Sequence, residues 1–418
     1  MAQLSDDCFA FGGELMRADV AAAILADRAT PLAAVERCGL RNAVGRILAA
    51  DIVAARSVPP HDNAAVDGYT VAFADLDPNA ATRLPIVGRS AAGHPMAEPL
   101  RGRTTARVFT GAPMPQGADT VFMQEDVRVE GEFAVLPPGL KRGSNRRKAG
   151  EDIAAGATVL KAGHRLRAQD VGLIASLGHV EFDAFAKLRV AVFSTGDELR
   201  EPGHAAPTGA VYDANRFVLL AALDRLGFEV SDLGILADRQ EAVREALAAA
   251  AATHDAVITS GGMSMGEEDH VRAAVEAQGA LHFWRLAIRP GRPVAFGTLA
   301  GKAFLGLPGN PVAMMVTFLR FARPVLLRLA GAADVVPRLQ RVRTAADIGK
   351  KAGRREWLRA KLVAGEDGIP VAHKFPRDGA GILTSLVESD GLIELDEDTR
   401  AVAAGSLVDF LPYTEVAQ

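Results

Sequence analysis

The sequence predicts an α/β protein: a core built on a mostly parallel sheet, accompanied by a β-rich domain and a small β-barrel or sandwich at the C-terminus. Three observations carry this. From Leu188 onward short apolar strands alternate with amphipathic helices, as in βαβ units. Three of those strands end in glycine-marked breaks. Residues 63–148 and the last ~80 residues show short apolar runs and turns with few helical windows.

In order along the chain, residues 14–55 hold two helix-like stretches. The second carries Leu32, Val35, Leu40, Val44 and Ile47 at roughly helical spacing, after Thr30-Pro31 as N-cap and first-turn pair. Ser57-Val58-Pro59-Pro60-His61 is a break. Strands are expected over 84–87, 107–110, 120–124 and 133–136, then a helix over 168–177. The alternating region follows: strand 189–193, helix 215–226, strand 229–233, helix 240–252, strand 256–260, helix 268–278, strands 282–286, 293–297 and 303–305, and helix 311–329. Leu219, Ala222, Leu223 and Leu226 give its first helix an i, i+3, i+4, i+7 stripe, closed by Gly227. Strands 341–345, 356–363, 391–395 and 407–411 end the chain.

At 418 residues the chain has room for about three domains of roughly 150 residues. A net charge of −4 argues against a nucleic-acid binder. Cys8 and Cys38 cannot staple a chain of this length, which fits a reducing compartment. The start lacks the basic and apolar regions of a signal peptide. Arg320, Arg323 and Arg328 make helix 311–329 too charged to cross a bilayer. The expected location is the cytoplasm, with neither membrane nor nucleic acid as partner.

The three breaks are Ser194-Thr195-Gly196-Asp197-Glu198, Ser260-Gly261-Gly262 and Leu307-Pro308-Gly309-Asn310-Pro311. A strand that ends in a tight turn and feeds a helix presents free N–H groups at the positive end of the helix dipole, where anions bind. Three such ends at one sheet edge make a crevice suited to a phosphorylated ligand. Among them the chain places Asp197, Glu198, Asp213, Asp238, Glu267, Glu268 and Asp269. Carboxylates repel an anion unless a divalent cation bridges the two, as Mg2+ does with one or two carboxylates plus phosphate oxygens. The glycine-rich loop from Ser260 is neither a G-x-G-x-x-G fingerprint nor a Walker A loop. Arg285, Arg289 and Arg292 form a candidate anion clamp, stiffened by Pro290, Gly291 and Pro293. Asp62, Asn63 and Asp67 offer oxygen ligands, and 141–148 is a basic run. Alone, each motif also reads as an ordinary βα turn, a cap by Asn310 with Pro311 following, a turn at Asp67-Gly68, or a basic surface loop. The histidines show no zinc-site spacing.

As an ordered set, these motifs resemble the molybdopterin molybdenumtransferases (MoeA proteins), to which the gephyrin E domain is related. The matching segments are 62–69 from Asp62 to Tyr69, Thr110-Gly111-Ala112-Pro113, Gly150-Glu151-Asp152, Ser194 to Glu198, Tyr212-Asp213-Ala214-Asn215-Arg216, Ser260 to Asp269, Arg289-Pro290-Gly291-Arg292-Pro293 and Leu307 to Pro311. They follow the family's order over nearly the whole chain. The resemblance implies an elongated homodimer of four-domain subunits: residues 1–56 with 150–187 as a discontinuous N-terminal or linker domain, 57–149 β-rich, 188–335 α/β, MogA-like and molybdopterin-binding, and 336–418 a β-barrel. It implies insertion of molybdate into adenylylated molybdopterin with a divalent cation, usually Mg2+, giving molybdenum cofactor and AMP. The active site would form between the α/β domain and the β-rich domain of the other subunit, and the product would pass to molybdoenzymes or their chaperones.

By motif, Asp67, Glu198, Thr110 and Asp152 fall at catalytic positions of the family. Ser194, Thr195, Gly196, Asp238, Ser260, Gly261, Gly262, Ser264, Asp269, Arg285, Arg289, Pro308, Gly309, Asn310, Arg147 and Arg359 fall at substrate-binding positions. Glu198, Asp238 and Asp269 are the implied metal ligands. Arg285 and Arg289 stand where the family often has Lys, Ala149 where an Arg is expected, and Ala380 where a Ser is frequent. The alternatives are a molybdopterin adenylyltransferase and a pterin-binding scaffold without turnover.

Overall fold

The computed structural model describes residues 15–262, 270–291 and 293–416. The chain divides into two compact units, a smaller one of Ala50–Ala162 with Arg167–Phe182, and a larger one containing the rest.

The larger unit opens with α1 (Ala18–Arg28), which buries Ala18, Ala21 and Leu25. Asp19 in its first turn and Arg28 in its last complement the helix dipole. The second helix expected over 32–47 does not form. Val35–Gly39 is a strand, β1, and Leu40–Asn42 is one 3-10 turn. The reason is that the helical stripe meets no core: Leu32, Val35 and Val44 are exposed, and of the five only Ile47 is buried. A short helix without a buried face is marginal. β-branched Val35 starts a strand instead. Ala186 N–H donates to Ala34 O at 2.7 Å, and Arg37 bonds Asp183 at 2.9 Å. Thr30-Pro31 therefore caps nothing.

In the smaller unit β2 (Gly68–Val71), β3 (Thr82–Ser90), β4 (Thr105–Val108), β5 (Thr120–Met123), β6 (Arg128–Glu130) and β7 (Phe133–Leu136) form one sheet, ordered β5-β2-β4-β3-β7-β6. β3 and β4 run parallel and the other pairs antiparallel. Tyr69, Val71, Leu84, Phe122, Ala134 and Leu136 fill its core. Beyond the sheet, α2 (Ala168–Ser176) begins where Asp170 accepts the Arg167 N–H at 2.8 Å.

The larger unit then continues through β8 (Arg189–Thr195), α3 (Ala214–Arg225), β9 (Glu229–Leu236), α4 (Gln240–Thr253), β10 (Ala256–Ser260), α5 (His270–Gln278), β11 (Gly279–Arg285), β12 (Pro293–Leu299) and β13 (Lys302–Leu307). Their sheet order is β9-β8-β10-β13-β12-β11. The first four strands are parallel, and β12 and β11 add antiparallel. A strand covered on both faces reads as a continuous apolar run, and Val190, Ala191, Val192 and Phe193 show why. Val190 and Val192 join one core with Leu219 and Leu223 of α3, while Ala191 and Phe193 join the other with Val243 and Leu247 of α4.

Helix 311–329 is not uniform. It runs as α6 (Pro311–Thr317), a π-helical turn at Phe318–Ala322, and α7 (Arg323–Leu329). Pro324 has no N–H for the carbonyl four residues back. The Arg323 N–H reaches Phe318 O, five residues back, which shifts the ladder by one. Finally β14 (Gln340–Thr344), β15 (Arg355–Val363), β16 (Val371–Lys374), β17 (Gly391–Leu395) and β18 (Leu407–Pro412) close into a ring, β15-β16-β14-β18-β17-β15. Of barrel and sandwich, the C-terminal domain is a barrel, packed on Val342, Leu358, Ile393 and Phe410. Among the described residues no helix is long and apolar enough to cross a membrane.

Candidate active site

The four parallel strands of the α/β sheet, β9, β8, β10 and β13, all end on one edge, and each end carries residues singled out in the sequence. Register sets them level: Ser194 of β8 pairs with Ser260 of β10, and Ser260 pairs with Leu307 of β13. On the other side Thr195 pairs with Leu236 of β9. Asp238 thus leaves β9 beside the turn that carries Gly196 and Glu198.

This edge is built by close backbone approach. A Cβ on Gly262 would fall 2.3 Å from Thr195 Cγ2, and its φ of +62° favours glycine independently. A Cβ on Gly196 would lie 2.6 Å from Glu198 Oε2, so glycine lets that carboxylate fold back over its own turn. Asn215, in the first turn of α3, ties two ends together. Its Nδ2 donates to Ser260 Oγ at 2.9 Å and to Gly309 O at 2.7 Å. Ser260 Oγ donates to Pro308 O at 3.3 Å, and Gly261 N–H to Leu307 O at 3.1 Å. Ser194 and Thr195 are 0% and 2% exposed, and neither hydroxyl has a hydrogen-bond partner among the described residues. An unpaired buried hydroxyl costs about 1–3 kcal/mol, and native proteins keep few of them.

The turn carrying Glu198 is anchored from behind. Arg216 is buried and bonds Asp213 at 2.9 Å, as well as Asp232 and Glu201. Burial pulls its pKa down, but the bonds to Asp232, Asp213 and Glu201 outweigh that and leave it above the ordinary arginine value. Asp213 also accepts the Arg216 N–H at 3.2 Å as N-cap of α3, so it is occupied by its own helix.

Asn310 occupies the N-cap position of α6 with Pro311 after it, but its side chain makes no cap bond. The Val312 N–H goes instead to Ala380 O at 3.0 Å, from the barrel. Buried Arg359 holds that barrel segment, donating to Ser385 Oγ at 3.0 Å, Arg377 O at 2.8 Å and Gly379 O at 3.2 Å. Its burial lowers its pKa. Arg289 lies 3.5 Å from both Glu356 and Asp378, which share its charge. Arg285, half-buried at the end of β11, forms no ion pair among the described residues. Ser264, Glu267, Glu268, Asp269 and Arg292 lie outside the described residues.

A second cluster forms within the smaller unit. Asp67 Oδ1 accepts the Thr110 N–H at 2.7 Å and the Thr110 hydroxyl at 2.8 Å. The backbone bond first, then the hydroxyl, hold this carboxyl below the usual range, and Arg107 adds to the effect. Asp62 accepts from Arg146 and, at 2.8 Å, from the Ala149 N–H. Asn63 pairs with Arg147, and Ala64 N–H donates to Ala112 O at 2.9 Å. Gly150 N–H reaches Pro59 O at 2.9 Å and Asp152 N–H reaches Val58 O at 3.1 Å. The segments 62–69, 110–113 and 145–152, far apart in sequence, thereby meet, with the Arg147 and Asp152 side chains exposed.

Known proteins resemble this chain in sequence and in fold. The chain is 37% identical over 387 residues to the molybdopterin molybdenumtransferase of Haemophilus influenzae, covering 91% of this chain and 94% of that one. The chain belongs to the molybdopterin molybdenumtransferase (MoeA) family. A namesake from a Nostoc species is 34% identical over 373 residues, covering 86% of this chain and 85% of that one. The crystal structure of a molybdopterin biosynthesis moeA protein from Pyrococcus horikoshii OT3 superposes with a TM-score of 0.82 at 29% identity, covering 96% of this chain and all of that one.

Three family patterns match: "MoeA N-terminal region (domain I and II)" over residues 16–178, "Probable molybdopterin binding domain" over 191–328, and "MoeA C-terminal region (domain IV)" over 341–413. In MoeA terms the Asp67 cluster lies in the N-terminal region, the four strand ends in the molybdopterin-binding domain and Arg359 in the C-terminal region. Sequence reasoning gave no role to Asn215 or Arg216. The available signal was the Asp213-x-x-Arg216 spacing, which puts a capping carboxylate and a guanidinium one turn apart.

Among the described residues no three His, Cys, Asp or Glu side chains converge as a metal cage. Glu198 and Asp238 follow the ends of the neighbouring strands β8 and β9, and a Mg2+ site beside phosphate would ask for one or two such carboxylates.

Proposed function

We propose that this MoeA-family transferase inserts molybdate into adenylylated molybdopterin, releasing AMP and yielding molybdenum cofactor. The observation that carries the reading is the level edge of four parallel strand ends, with glycine turns of close approach and two buried hydroxyls unpaired among the described residues. In this reading Ser194, Thr195 and Gly196, with Ser260 to Gly262 and Ser264, donate to the pterin and its phosphate oxygens. Pro308, Gly309 and Asn310 close the same crevice, held by Asn215. Glu198, Asp238 and Asp269 would hold Mg2+, which supplies positive charge against the pyrophosphate when bound.

The chain's own charges do the rest. Asp67, held ionised by Thr110, cannot act as an acid near neutral pH, so its part is to orient and to accept hydrogen bonds. Asp152 adds a second carboxylate in the same unit. Arg147, Arg285 and Arg289 offer guanidinium forks to oxyanions. Arg359 supports the barrel segment that meets α6. The reading also takes the four-domain boundaries given by resemblance, a homodimer, a cytoplasmic location and delivery of product to molybdoenzymes or their chaperones.

The test is single-turnover conversion of adenylylated molybdopterin with molybdate and Mg2+, following AMP and cofactor. Molybdate-dependent AMP release with active cofactor supports the reading. Tight pterin binding without release means a scaffold, and adenylylation of molybdopterin from ATP means an adenylyltransferase. Chelation of the cation should stop the reaction; undiminished release would remove Mg2+ from it.

A further inference from the structure

On the smaller unit's sheet, Arg107 of β4 stands opposite Arg89 of β3 on one side and opposite Tyr69 of β2 on the other. Cross-strand partners share a face of the sheet. Phe109, two residues beyond Arg107, completes the row. The Arg89 guanidinium lies 4.7 Å from the Phe109 ring centroid, and that of Arg107 lies 5.1 Å from the same ring and 4.9 Å from Tyr69. Like charges directly opposed across a strand pair are destabilising. Neither arginine forms an ion pair among the described residues. Arg107 donates to the Gln124 side-chain oxygen and helps lower the pKa of Asp67. Arg89 is exposed and, among the described residues, rests on the ring alone. The row sits at the Asp67 end of the sheet, since Gly68 pairs with Val108 and Asp67 bonds Thr110.

We propose that Arg89 and Arg107, backed by Phe109, form a subsite for a tetrahedral oxyanion beside Asp67, separate in the chain from the strand-end phosphate site. The proposal rests on the molybdate-insertion reading, which supplies two such oxyanions: incoming molybdate, and the phosphate of the released AMP. Two guanidinium forks match oxyanion geometry with paired N–H donors. A bound dianion removes the repulsion between the two opposed arginines. Asp67 offsets part of the Arg107 charge, so Arg89 carries the excess and is the residue to change.

The experiment titrates molybdate and, separately, AMP into the full chain by calorimetry, for wild type, Arg89→Gln and Arg89→Lys, with molybdate-dependent AMP release measured on the same preparations. Arg89→Gln weakens one of the two ligands about tenfold or more, and Arg89→Lys retains most of the affinity. If molybdate is the ligand, its half-saturating concentration for AMP release rises by the same factor while the plateau rate stays. If AMP is the ligand, its product inhibition weakens instead and the molybdate dependence is unmoved. Unchanged affinity for both ligands in Arg89→Gln overturns the subsite. A measurement without a variant guards against misfolding: phenylglyoxal modification of Arg89 in the wild-type chain, read by mass spectrometry, slows several-fold with the anion that binds. Equal labelling with and without both anions overturns the subsite too. Failure of the wild-type chain to release AMP at saturating molybdate sinks the reading of the reaction, a result distinct from either.

Discussion

The two candidate clusters are made of different materials. At the strand ends of the larger unit the groups on offer are backbone turns and two buried hydroxyls without partners among the described residues. In the smaller unit they are carboxylates already taken up by their own chain: Asp67 by Thr110, and Asp62 by Arg146 and Ala149. In the proposed reading the first is a receptor that gains hydrogen bonds when a ligand arrives. The second is a fixed charge whose orientation was settled during folding. Binding energy should therefore be concentrated at the strand ends, and rate should depend on the fixed carboxylate.

The largest effect that could break this contrast is at Asp67. Asp67→Asn removes the charge and keeps the shape, so we expect the single-turnover rate to fall on the order of a hundredfold or more, with pterin affinity nearly unchanged. The side chain is half-buried, and the Asn amide oxygen can still accept from Thr110, so the fold should hold with only a small fall in the thermal midpoint. A loss of affinity that matches the loss of rate would make the smaller unit's cluster a receptor too. Next in size is Gly262→Ala. The added methyl meets Thr195 Cγ2 and the positive φ adds strain, roughly 1–3 kcal/mol in all. Pterin affinity should fall roughly ten- to a hundredfold by that strain, with a smaller change in the rate at saturation. Unchanged affinity would mean that the strand ends do not hold the pterin.

Asn215→Ala sharpens the same point more gently. It frees Ser260 Oγ and Gly309 O from a shared donor, at about 0.5–1.5 kcal/mol per bond. We expect a roughly tenfold rise in the pterin dissociation constant and little change at saturation. A loss confined to the saturated rate would place Asn215 in the chemistry rather than in holding the crevice.

The contrast also explains what the sequence could disclose. The strand ends were legible because each is a local strand–turn–helix feature, and a parallel topology brings such ends to one edge. The clamp across them was not legible, because Asn215 acts on residues 45 and 94 positions away. The Asp67 cluster is worse placed for reading: Thr110 is 43 positions from Asp67, and Arg146 is 84 from Asp62. No spacing rule joins such residues: Asp62 and Asp67 stood out only as possible oxygen ligands and Arg146 only within a basic run, and resemblance to MoeA proteins was needed to bring in Thr110. The false helix near Val35 failed for a related reason, since periodicity records a stripe but not whether a core exists to receive it. Pro324 was a visible signal for the break in helix 311–329, and Arg359 shows that a charged residue matched to a site motif can be buried and serve its neighbours.

The smallest expected effect tests whether the fixed carboxylate owes its state to Thr110. The folded pKa of Asp67 lies below the ordinary value because the Thr110 N–H, and then its hydroxyl, bond the charged form. A depressed carboxylate contributes stability that is present above its unfolded pKa and is lost as pH falls through the lower, folded one. Thr110→Val deletes the hydroxyl and leaves the N–H, so the pKa should move up only part of the way. The acid limb of the single-turnover rate should then shift to higher pH, with the rate at pH 8 altered no more than roughly threefold. Carbon-detected NMR of the Asp67 carboxyl follows the same titration directly. A carboxyl that shifts while the acid limb stays would show that another group sets the pH dependence, and would reduce the smaller unit's cluster from a fixed charge in the chemistry to a fixed piece of structure.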